Sequence, residues 1–210
     1  MKSRFLYVVF AILLVILVSP FIRHEGKIGA LTATLLLTMI PLASYYALAG
    51  DRRRALIIII LGVPFIGLDA ISLFHPSRYP QVIMYGFGTL LYLYIIVLLL
   101  KSLLAQKTIT TNMIYCAISI YLLIGIMWAG VYAILDSVSP GSFSVTPGSF
   151  DPIYFSFVTL TTVGYGDVAP VTILSKRFAV FEAAMGSIYM AIIVALIVGR
   201  YLTPSADQDS

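Results

Sequence analysis

From its first residues onward the chain is a succession of long apolar runs separated by short polar or charged joints. A helix crosses about 30 Å of hydrocarbon with about 20 residues. Six charge-poor stretches reach that length, at about 5–22, 28–50, 55–74, 80–100, 113–135 and 178–199. They predict six membrane-spanning helices. A seventh apolar piece, 152–160, is about half as long, which suits a re-entrant helix that enters and leaves on one side. Asp151 and Pro152 mark its start: the carboxylate can accept from orphan amides, and the missing proline N–H costs nothing at the first helical position. The helix is expected to end near Thr161, with its partially negative end pointing into the membrane.

Between the fifth run and this short piece, residues 136–151 are rich in Ser, Pro and Gly and read as an extracellular loop. The tetrapeptide PGSF occurs there twice, at 140–143 and 147–150, which reads as a small duplication in a tolerant turn. Lys2 and Arg4 before the first run would also suit a signal peptide, but no small-x-small cleavage site follows, so the run is taken as a span.

Composition agrees with the pattern. The chain is 60% hydrophobic and 10% charged, against about 45–50% and about 25% in soluble domains, and its mean hydropathy is +1.03. A water-soluble enzyme is excluded, and no paired carboxylates, metal-spaced His/Cys or nucleophile constellation emerges, so neither catalytic residues nor a cofactor are expected. The net charge is +4, yet the bases sit between apolar runs, where they orient a chain in a bilayer rather than bind nucleic acid. With the amino terminus inside, Lys2, Arg4, Arg52, Arg53, Arg54, Lys101, Lys107 and Arg200 are cytoplasmic. Arg23, Lys27, Arg78, Lys176 and Arg177 are outside. Three adjacent arginines are costly to translocate, so both termini are expected to be cytoplasmic in a multi-pass protein of the cell membrane. Cys116 is the single cysteine, which excludes an intramolecular disulfide.

After the short helix the chain reads Thr161, Thr162, Val163, Gly164, Tyr165, Gly166, Asp167. Non-helical backbone at membrane depth must line water or be buried in protein. Carbonyls of successive residues turned to one side can replace the hydration shell of a monovalent cation, and glycines permit the backbone angles this needs. Placed after a re-entrant helix and flanked by spans, TTVGYGD resembles the selectivity filter of the potassium channel superfamily. The resemblance covers about residues 114–200; over the first hundred residues it rests on span count and topology.

By that resemblance, potassium sites are formed by the carbonyls of Thr162, Val163, Gly164 and Tyr165, with the Thr162 hydroxyl closing the innermost site and Gly166 shaping the mouth. Thr161, Asp167, Tyr154 and Glu182 are the expected filter supports. In the family the acid after the filter is commonly tied to an aromatic residue of the pore helix, which places Tyr154 against Asp167. Some relatives set a Glu behind the filter where this chain has Val158, so that brace is expected to be absent. One chain supplies one filter strand, so four copies must surround the ion as a homotetramer. Gly186 follows Gly166 at the family's hinge spacing, and permits either bending or close packing. Ser187, Met190 and Val194 recur at helical spacing and are expected to line the cavity.

The resulting division is a four-helix unit with its linker at 1–110, a pore unit at 111–202 and a short tail at 203–210 too small for a regulatory domain. Between 80 and 100 the fourth span carries no Arg or Lys. A charge moved across the field is worth about 2.3 kcal/mol per 100 mV, so a span without charges supplies no gating energy. The four-helix unit thus resembles a voltage sensor without its arginines. Residues 101–110 are expected to form a linker helix along the inner surface, while His24 and His75 fall in outer loops. The expectation is an all-α, potassium-selective, passively conducting homotetramer in a lipid bilayer, without steep voltage gating. The rivals are a weakly selective cation channel and a non-conducting accessory subunit.

Overall fold

A computed structural model describes residues 3–22, 26–48, 52–74, 78–106, 108–146 and 148–202. Among the described residues seven helices follow one another: α1 (Arg4–Ile22), α2 (Gly26–Ala47), α3 (Arg52–Phe74), α4 (Arg78–Ala105), α5 (Thr111–Val138), α6 (Pro152–Leu160) and α7 (Ile173–Leu202). The tail and the outer-loop histidines His24 and His75 lie outside the described residues. Four of the described helices, α3, α4, α5 and α7, are long and apolar enough to cross a membrane. α1 and α2 contribute the shorter apolar helical stretches Arg4–Val18 and Leu35–Ala47.

α5 is the hub. It packs on α4 and α1 along one flank and on α6 and α7 along the other. The register is visible in the fully buried side chains: Leu91, Ile95, Leu99 and Leu103 recur every fourth residue on α4, facing Met113, Cys116, Ile120 and Leu123 of α5 with Val8, Ile12 and Val15 of α1. Among lipid tails there is little hydrophobic gain in pairing helices, so close fit and hydrogen bonds must hold them. A Cβ at Gly130 of α5 would run into the Thr89 hydroxyl of α4, so these helices approach as closely as a glycine allows.

Proline inside a span frees the carbonyl four residues earlier, and in a bilayer that carbonyl needs another donor. Pro41 lies inside α2, and the freed Leu37 carbonyl accepts from the Tyr92 hydroxyl of α4 at 3.1 Å. Pro20 and Pro64 sit inside α1 and α3.

The linker helix expected at 101–110 does not form. Lys101 to Ala105 continue α4, because the stretch holds no Gly or Pro and Leu103 keeps the buried register. The chain then turns within a few residues to Thr110, whose hydroxyl caps α5 by accepting from the Met113 amide at 3.2 Å. At the far end of α7, the Arg200 guanidinium donates to the Leu104 carbonyl at 3.4 Å and reaches Met113 Sδ, joining the ends of α4, α5 and α7.

Two of the long helices are little covered: α3, where Phe65 is the one buried side chain among the described residues, and α7. Of the 30 residues of α7 only Ser175, Glu182 and Gly186 are buried, while Phe181, Ile188, Ile192, Val194 and Val198 stand exposed.

Candidate ion-binding site

The short helix α6 begins as its sequence dictates. Asp151 Oδ1 accepts from the amides of Ile153 at 3.0 Å and Tyr154 at 3.2 Å, and Pro152 occupies the first turn. Behind it, the loop repeat closes two equivalent turns. Ser142 N–H donates to the Ser139 carbonyl at 3.1 Å and Ser149 N–H to the Thr146 carbonyl at 3.0 Å. Proline followed by glycine is the sequence of a type II turn, and Gly141 and Gly148 take φ of 85° and 88°. Each turn delivers its phenylalanine to the same place: the Phe143 and Phe150 rings stack at 4.0 Å, and both meet Phe155 of α6. The repeat thus packs two phenylalanines against the start of α6.

The same loop holds the segment beyond residue 167. Ser144 N–H donates to the Ala169 carbonyl at 2.9 Å and Val171 N–H to the Ser142 carbonyl at 2.8 Å. Thr172 then caps α7 by accepting from the Ser175 amide at 3.2 Å.

Between these supports runs 161–167. The amide of Thr162 donates to the Thr159 carbonyl at 3.0 Å, and those of Val163 and Gly164 both donate to the Val158 carbonyl, at 3.0 and 3.3 Å. The strand thus hangs by its N–H groups from the end of the pore helix. Among the described residues, the carbonyls of Thr162, Val163, Gly164 and Tyr165 accept no hydrogen bond. Alternate residues Thr162, Gly164 and Gly166 have φ of 59°, 55° and 82°. Left-handed angles at every second residue bring successive carbonyls toward one side, which an ordinary strand does not do. The two glycines adopt them freely. A β-branched residue pays about 1–2 kcal/mol there, so Thr162 is strained at the site itself, held by its amide bond and by its hydroxyl donating to the Thr161 carbonyl at 2.7 Å.

Tyr154 Oη lies 2.6 Å from Asp167 Oδ2. The tyrosine hydroxyl, with backbone amides adding to it, holds the Asp167 carboxyl below the ordinary carboxylate range. The Val163 and Tyr165 side chains face a cleft shared with Ile16 and Pro20 of α1 and with Tyr154, Phe157 and Val158 of the pore helix.

A family model described as "Ion channel" matches residues 118–203. The chain is 30% identical over 91 residues to the inward rectifier potassium channel Kirbac3.1 of Paramagnetospirillum magnetotacticum, 41% of this chain and 29% of that protein. It is 32% identical over 97 residues to two pore potassium channel a of Oryza sativa subsp. japonica, 46% of this chain and 26% of that protein. The chain therefore spans less than a third of the length of either. Protein LctB of Bacillus caldotenax is 30% identical over 99 residues, 43% of this chain and 73% of LctB. The chain belongs to the potassium channel superfamily. No solved structure matches it.

The remaining candidate residues fall on α7. Gly186 is buried beneath the end of the pore helix, where a Cβ would run into the Leu160 carbonyl. That carbonyl also accepts from the Tyr121 hydroxyl at 3.3 Å. Close packing therefore requires a glycine at this position. Ser187, Met190 and Val194 lie on the uncovered face of α7, Ser187 donating back to the Ala183 carbonyl at 3.0 Å.

Glu182 is fully buried. Its Oε2 lies 2.5 Å from the Tyr132 hydroxyl of α5 and its Oε1 lies 2.5 Å from the Ser156 hydroxyl of α6. Val158 of α6 is apolar, and Glu182 reaches α6 from α7 at Ser156. Tyr132 and Ser156 were not among the residues the sequence singled out. The available signal was Ser156 itself, a small hydroxyl in the apolar run PIYFSFVTL.

Proposed function

We propose that four copies of this chain surround a common axis and conduct potassium passively. The ions would bind the carbonyls of Thr162, Val163, Gly164 and Tyr165, with Gly166 and Asp167 at the outer mouth. The observation that carries the reading is the strand whose amides are tied to the pore helix while its four carbonyls stay unengaged, in the sequence TTVGYGD. The pore helix supports it: a helix carboxyl end carries about half a negative charge and, in such an assembly, would face the place where a dehydrated cation waits.

The tetramer is supported by α7. A 30-residue apolar helix with three buried residues needs cover, and the cleft beside Val163 and Tyr165 is open for a neighbouring filter unit. In such an assembly Ser187, Met190 and Val194 would line the inner cavity, and Gly186 would let the inner helix pass under, and bend beside, the pore helix. Tyr154, Thr161, Asp167 and Glu182 would support the filter.

The four-helix unit 1–110 is read as four spans beside the pore unit 111–202, making six in all with both termini in the cytoplasm of a cell-membrane protein. α1 is 19 residues long, which at 1.5 Å per residue reaches about 28 Å. The short turn between α4 and α5, and their packing within one chain, favour a four-helix unit that sits beside its own pore helices. The absence of Arg and Lys from 80–100 argues against steep voltage gating.

Thallium uptake by liposomes carrying the purified chain alone tests the reading. Uptake above empty liposomes is expected; none would favour an accessory subunit that conducts only with a partner.

A further inference from the structure

Three short oxygen contacts meet behind the filter. Tyr132 Oη lies 2.5 Å from Glu182 Oε2, Glu182 Oε1 lies 2.5 Å from Ser156 Oγ, and Ser156 Oγ lies 2.7 Å from the Gly125 carbonyl oxygen. Each contact at this length needs a proton between its oxygens. Tyrosine and serine bring one each, and a peptide carbonyl brings none. Two protons cannot serve three contacts.

The assignment that serves all three is unique. The Gly125 carbonyl only accepts, so Ser156 must donate to it. Ser156 Oγ must then accept from Glu182 Oε1, which requires that oxygen to carry the third proton, leaving Oε2 to accept from Tyr132. We propose that Glu182 is a proton-binding site behind the selectivity filter, and that its neutral carboxyl relays a hydrogen-bond chain from α7 through the pore helix to the backbone of α5. The surroundings suit a neutral acid. Glu182 and Ser156 are both fully buried; the titratable groups facing Glu182 are Tyr132 and Tyr121 of α5, and the α6 sequence holds no charged residue.

The relay positions the filter. Ser156 lies two residues before Val158, whose carbonyl carries the Val163 and Gly164 amides. When the proton leaves, Ser156 turns toward the carboxylate, the Gly125 carbonyl loses its donor, and one tie between the pore helix and α5 is lost. The chain is complete while the carboxyl stays protonated and breaks as pH rises through its titration. This inference rests on the potassium-conducting reading for its effect on flux, though not for the proton itself.

Infrared spectra of the reconstituted wild-type protein at neutral pH test the proton. A carboxylic-acid C=O stretch is expected that shifts in D2O, disappears at alkaline pH and is absent from Glu182→Gln. A spectrum with only carboxylate stretches in place of that band would overturn the proposal. Liposome flux tests the relay, because a glutamine amide can donate to Ser156 and its carbonyl accept from Tyr132. Glu182→Gln is expected to hold wild-type flux at neutral pH within about twofold and to lose the wild-type decline at alkaline pH, whereas Glu182→Ala falls by about tenfold. A Glu182→Gln variant as impaired as Glu182→Ala, or one sharing the alkaline decline, would overturn it. If no form passes potassium, the channel reading fails while the infrared band still decides the proton.

Discussion

Replacing Gly186 with alanine puts a methyl group where the inner helix passes under the pore helix. The new carbon would collide with the Leu160 carbonyl oxygen and lie 2.9 Å from Leu160 Cδ1. The carbonyl is the obstacle that matters, since it is backbone at the end of α6 and cannot swing away as a side chain would. In an unobstructed helix the same change stabilises by about 0.5–1 kcal/mol, because alanine loses less freedom than glycine. Overpacking costs about 1–3 kcal/mol, so the net expectation is a loss of about 1–2 kcal/mol per chain. Gly67 of α3 is the control, with nothing within 4 Å of its added carbon. Thermal unfolding of both variants in one detergent gives the comparison. At about 2–4 °C per kcal/mol for a chain of this size, Gly186→Ala is expected to melt several degrees below wild type and Gly67→Ala at or above it. The close approach of α7 to α6 would be refuted if Gly186→Ala were as stable as Gly67→Ala.

Tyr154→Phe removes the hydroxyl that donates to Asp167 and is expected to speed loss of conduction under sustained driving force, read as faster decay of current in a planar bilayer. Asp167 has a carboxyl held low, so its bond to Tyr154 is present above the ordinary carboxylate range and is lost only as pH falls through the lowered value. Wild-type flux should therefore tolerate mildly acid outer solution, and in Tyr154→Phe the acid loss should begin at higher pH; identical acid profiles would count against the pair. Phe143→Ala empties a buried position that stacks on Phe150 and meets Phe155 and Tyr132, at a cost of about 3–5 kcal/mol. Phe150→Ala, at a half-buried ring, should cost less, and equal melting temperatures would contradict the cluster.

Much of this was legible because the carriers are local. The apolar runs located the long helices, of which α3, α4, α5 and α7 are long and apolar enough to cross a membrane, Asp151 before Pro152 gave the start of α6, and a motif of seven neighbouring residues marked the segment that follows it. Even Tyr154 against Asp167, 13 residues apart, could be placed by register. The Glu182 relay could not, since its partners lie 50 and 26 residues away on two other helices and nothing in their spacing says that they meet. The PGSF repeat hid its purpose for the same reason: the rings it delivers converge on Phe155 only after the loop folds back on the pore helix. The linker helix was misjudged because Lys101 looks like a boundary in sequence. In the structure its neighbours Leu99 and Leu103 keep one buried face continuous.

The most direct measurement is the reversal potential of the purified chain in a planar bilayer, with potassium on one side and an equal concentration of sodium on the other. If four strands of carbonyls from Thr162 to Tyr165 select the ion, current must reverse far from zero, on the side set by the potassium gradient. A reversal at zero, with current carried equally by both ions, would contradict a potassium-selective filter.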